Sequence, residues 1–153
     1  MTDGSQQFSE KPSNSLLSQV QRNMLAIISL VVALSALGYN TYRNELTESN
    51  RNIRSAGFEM LQELAGLQLI ADYAHYDKDA VQGNPIAGWG RLLYMRDMSQ
   101  LVSLEVVAET ENLTAVWGRE WSTLHEEEAS NERITEAINT VRDQVRETIT
   151  ALE

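Results

Sequence analysis

Cysteine is absent from this 153-residue chain, which removes disulfides, thiolate zinc sites and thiol nucleophiles and leaves redox chemistry silent about compartment. The motifs that announce common catalytic chemistries are missing as well: no G-x-x-x-x-G-K-S/T, no G-x-G-x-x-G, no H-E-x-x-H and no G-x-S-x-G. A basic excess is the third absence. The formal net charge is −10, and Arg43, Arg51 and Arg54 alternate with Glu45 and Glu48 instead of forming a stripe, so nothing here suits a phosphate backbone. No segment alternates as a strand does. These gaps point away from an enzyme, a cofactor protein or a nucleic-acid binder and towards an acidic, all-α chain.

What the chain does have is one long apolar run. From Asn23 to Tyr42 no residue is charged, Arg22 and Arg43 close the two ends, and the sequence from Met24 reads MLAIISLVVALSALGYNTY. A hydrocarbon core needs about 20 helical residues, so this run, placed at 23–42, fits a slightly short transmembrane helix. Ser29 and Ser35 can return their hydroxyls to the helix backbone, and Tyr39 and Tyr42 suit the headgroup level. A cleaved export signal ending near Ala36-Leu37-Gly38 is the competing reading. Against it stand the long segment before the run and the helical pattern that continues after it. Residues 1–22 are expected to form a disordered tail, since the stretch MTDGSQQFSEKPSNS that opens it has little to bury. Charge counting does not decide the topology, with Lys11 and Arg22 on one side and three arginines on the other. The expectation is an anchored tail and an acidic domain, 43–153, outside the cytoplasm and in the periplasm of a bacterial source.

Within that domain the apolar positions follow helical period. Ile53, Met60, Leu64, Leu67, Ala71 and Ala74 define a helix continuing to about Asp77. The strongest break is Gln82–Gly90, where three glycines and Asn84-Pro85 interrupt regular structure, and a second helix begins at Pro85 or, more conservatively, after Gly90. Leu92, Leu93, Met95, Met98, Leu101 and Val102 give that helix a broad apolar face. A third helix is expected over Val106, Leu113, Trp117, Trp121 and Leu124, closed by Glu126–Glu128 against the helix dipole. The cleanest stripe is Ile134, Ile138, Val141, Val145, Thr148 and Leu152, with Ser130 or Asn131 as caps. It is too short to demand a coiled coil. The fold expected is a transmembrane helix continuing into a three- to four-helix bundle.

Two constellations could carry function. Asp72, His75 and Asp79 lie three and four residues apart and would share a helix face able to hold a divalent ion, with His125 as a further ligand. A solvated helix end accounts for them better, so no metal is expected. The aromatic residues Trp89, Tyr94, Trp117 and Trp121 could instead line a partner or ligand pocket, or fill the core. The expected function is therefore a single-pass adaptor of the bacterial cell envelope, in contact with lipid and with a protein partner or a second copy through its helices, without catalysis or cofactor. The alternative is a ligand-binding bundle that acts through a partner. It is similar in outline to the extracellular four-helix modules of bacterial chemoreceptors and kinases, from which it departs in having no returning span before Glu153. A metal-dependent enzyme on the Asp72 face ranks last.

Overall fold

A computed structural model describes residues 16–152 of the chain. Among these the regular structure is entirely helical, as expected. The chain divides into two compact units, one up to Glu45 and one from Leu46 onward, and the first helix, α1 (Leu16–Asp72), contributes to both. The expected tail falls largely outside the described residues; from Leu16 the backbone is already helical.

In the first unit the apolar run is wholly helical and unshielded. It contains an 18-residue window of mean hydropathy 1.8 with none of its residues buried, and Leu25, Leu30, Val32 and Leu37 are exposed. By length and composition this segment is able to cross a bilayer.

The second unit is a four-helix bundle. After α1 the chain takes one π-helical turn (Tyr73–Asp77), then α2 (Pro85–Ser99), α3 (Leu104–Glu120) and α4 (Glu128–Thr150). Lateral contacts give the topology. Arg54 reaches the Leu152 carbonyl, Gly57 faces Ile149, Gln68 bonds Thr135 and His75 bonds Glu128. The partner number falls as the α1 number rises, so α1 and α4 run antiparallel. Gly83 against Ala74 and Arg91 against Glu63 set α2 antiparallel to α1, and Gly88 against Trp117 sets α3 antiparallel to α2. The core consists of the predicted stripes: Met60, Leu64, Leu67, Val106, Leu113, Ile134, Ile138, Val141 and Val145 are fully buried.

Several boundaries differ from the sequence expectation. Helix α2 takes the earlier of the two expected starts, Pro85, with the Asn84 side chain accepting from the Ile86 N–H at 2.9 Å, so Gly88-Trp89-Gly90 is helix and not turn. The true break is 78–84. Leu93 and Leu101 are exposed, so the apolar face of α2 is narrower than predicted and rests on Leu92 and Met95, with Val102 buried in the turn that follows. Helix α3 starts from a Ser103 cap at 3.2 Å from the Val106 N–H and ends at Glu120. Glu126 to Glu128 therefore do not close α3. Glu127 is the N-cap of α4 and Glu128 lies in its first turn, where negative charge favours the helix dipole. Ser130 and Asn131 are not caps: both are buried inside the first turns of α4, held by bonds to other helices.

Truncating Ile138, fully buried in the core, is expected to destabilise the bundle by about 2–5 kcal/mol. Leu25→Ala, in the unshielded run, should leave that transition unchanged. Urea unfolding of the full chain in detergent, followed by tryptophan fluorescence, checks both.

Candidate functional site

Four stretches meet at one end of the bundle: the π turn, the 78–84 loop, the first turn of α2 and the α3–α4 connection. With the end of α3 they border a half-open, largely apolar cavity of about 280 Å³ walled by Ala74, Pro85, Trp117, Trp121 and Leu124, with Lys78, Asp79 and His125 also lining it.

Trp117 organises this end. It is 0% exposed, and glycine makes room for it: a Cβ at Gly88 would collide with the indole, lying 2.7 Å from Cη2 and closer still to Cζ2. Gly83 similarly lies against the Ala74 backbone, where a Cβ would approach the Ala74 Cα to 2.6 Å. The indole Nε1 of Trp117 is buried and has no acceptor among the described residues. Trp121, one turn on, is 40% exposed.

The loop is fixed by local bonds. Lys78 takes the left-handed conformation, φ 53°, which stops the helix, and its ammonium donates to the His125 carbonyl. The Asp79 carboxylate accepts from the Val81 N–H at 2.8 Å and the Gln82 N–H at 3.0 Å. Those backbone bonds, Gln82 first, hold its carboxyl below the ordinary 3.8.

His75 ties the π turn to the opposite connection. A carbonyl only accepts, so Nδ1 donates to Leu124 at 2.7 Å, while Nε2 sits 2.8 Å from a Glu128 carboxylate oxygen. The ring also meets Tyr76 edge-on, centroids 4.7 Å apart. The suggested metal face does not assemble. Asp72 accepts from Gln68, Asp79 is turned onto its own loop, and His125 is exposed beside Glu126. Among the described residues no three His, Asp or Glu are placed to hold a metal ion. The local path of the chain explains this: the helix stops at the left-handed Lys78, so Asp79 lies in the loop beyond it and off the helix face that spacings of three and four assume.

Of the four aromatic candidates, the structure brings Trp117 and Trp121 together on the cavity. Trp89 is half-buried against the core, and Tyr94 is 42% exposed elsewhere. Sequence reasoning missed Lys78, Pro85 and Leu124; nothing in their local pattern distinguishes them from ordinary loop and helix residues.

A second feature runs along α4. Glu128, Glu132, Glu136 and Asp143 line a shallow groove of about 420 Å³ with Tyr76, Asn131 and Thr135. Their spacing puts these carboxylates on one helix face. Two buried acceptors, Asn131 Oδ1 and Gln68 Oε1, receive no donor among the described residues.

Behind the α3–α4 connection, buried Glu120 accepts from Arg133 at 2.6 Å and from the Ser130 hydroxyl at 3.1 Å. The Arg133 bond is the main reason that its carboxyl lies below the ordinary 4.5.

Comparison with known proteins adds nothing to this geometry: no family model, curated protein or solved structure matches the chain.

Gly88→Ala should destabilise the bundle by about 1–3 kcal/mol, the range for an overpacked core, read as a lowered urea midpoint. The Glu120 shift fixes a sign with pH. Its folded value is depressed, so its stabilisation is complete above the ordinary 4.5 and is lost as pH falls through the lowered value. Glu120→Gln should thus be less stable than the parent at pH 7 and show a shallower decline in melting temperature below pH 4.5.

Proposed function

We propose that the chain is a single-pass membrane-anchored helical module that binds a protein partner at the cell envelope and carries out no catalysis itself. The observation that carries this reading is the wholly unshielded apolar helix of the first unit, whose exposure to water would be unfavourable by about 25 cal/mol for each Å². Lipid relieves that exposure. The partner reading draws support from the row of carboxylates on α4. Such a surface suits the lysines or arginines of another protein. In this proposal the second unit faces away from the cytoplasm, in the periplasm of a bacterial cell.

A second reading, a ligand-binding bundle that acts through a partner, is favoured by the cavity at the bundle end.

Alkaline carbonate should leave the full chain in the membrane pellet. Replacing Val31 and Val32 by lysine should release it, since each lysine near a span centre disfavours insertion by about 2.5–3.5 kcal/mol; extraction of the parent chain would refute the anchor. For the partner, Glu132→Lys with Glu136→Lys should abolish a crosslinked complex formed in cells while leaving the melting temperature within a few degrees. Protease added to spheroplasts should remove the second unit, and full protection would reverse the topology.

A further inference from the structure

The cavity at the end of the bundle is used neither by the anchor nor by the acidic face. We propose that it binds a small carboxylate with an aromatic or compactly branched body, which deepens the ligand-binding reading by naming the ligand class.

Size sets the body. An apolar cavity of about 150 Å³ holds one benzene ring and stays free of water otherwise. This one, at about 280 Å³, takes a ring with a short substituent, near the lower end of ordinary small-molecule sites. Its walls of Trp117, Trp121, Leu124, Pro85 and Ala74 offer apolar and aromatic contact.

One donor sets the head group. Lys78 lines the cavity, and its ammonium donates to a backbone carbonyl, a neutral partner that leaves its positive charge uncancelled. An ammonium on an apolar pocket matches a carboxylate, an acceptor with two oxygens. Trp117, completely buried in the wall, serves as the reporter of what binds beside it. Asp79 is the only carboxylate in the lining, and its Oδ1 is already turned onto the backbone N–H groups of Val81 and Gln82. It therefore stays with its own loop. The remaining ionisable group, His125, lies beside Glu126 on the exposed side.

The test uses the full chain in lipid nanodiscs, labelled with ¹⁵N at the tryptophan indoles, titrated with phenylacetate and separately with toluene. The Trp117 resonance is assigned from its loss in Trp117→Phe. Phenylacetate should move the Trp117 indole signal saturably and leave that of Trp89 in place. Lys78→Met should weaken phenylacetate binding about tenfold or more, as expected for one charge-assisted hydrogen bond, with toluene unaffected. Ala80→Phe, an exposed lining position, should block both probes at an unchanged melting temperature. Toluene binding that saturates while phenylacetate binds no better, or indifference to Lys78→Met, would overturn the carboxylate and leave a pocket for neutral ligands. A shift that never saturates, or that survives Ala80→Phe, is partition into lipid and overturns the site. Absence of any shift means a cavity without a ligand and overturns both the site and the ligand-binding reading.

Discussion

The second unit depends on the contact that joins its two ends, the antiparallel seam of α1 with α4. Arg54 and Asn50 reach the Leu152 carbonyl across about a hundred residues of chain, and between them and His75 the seam is filled by fully buried leucine, isoleucine, valine and methionine. Each such side chain contributes about 1.5–3 kcal/mol when it leaves water. Closing so long a loop has an entropic cost that grows only with the logarithm of its length. A few buried side chains outweigh it. Without the seam, α4 would keep its packing on α3, but the apolar face of α1 would lose its partner.

The same seam decides which parts of the fold are legible from sequence. Wherever a stripe of apolar residues can be counted along one helix, as with Ile134, Ile138, Val141 and Val145, periodicity locates both the element and its buried face. Misreadings cluster where a residue is chosen by a distant neighbour. Gly88 and Gly90 look like turn formers, yet Gly88 is glycine because the Trp117 indole lies against it inside α2. Ser130 looks like a cap, yet its hydroxyl is engaged by Glu120 and its helix has already begun. The acidic triplet suggests the end of α3 instead of the start of α4 because charge alone does not say on which side of a connection a helix ends. At the site, Trp117 and Trp121 stand out from their aromatic spacing. Lys78 does not: its place on the cavity comes from a left-handed turn without a local signature.

The two unpaired sets of polar atoms have opposite character. Near the acidic α4 groove the unmatched atom is the Asn131 oxygen, and at the bundle end it is the Trp117 Nε1–H. The first lies in a negative field and the second among apolar side chains. Tyr76 stands between the two, bonding Asn131 in the groove while its ring packs on His75 behind the cavity wall.

The π turn ties this junction to distant chain. Wide helical winding of this kind is rare, and here it is braced by the Leu124 carbonyl and the Glu128 carboxylate, 49 and 53 residues further along. Where the helix stops is set nearby, by the left-handed Lys78 and the bonds of Asp79 to its own loop. One helix end thus answers to two scales of sequence, its pitch to residues far away and its terminus to its immediate neighbours.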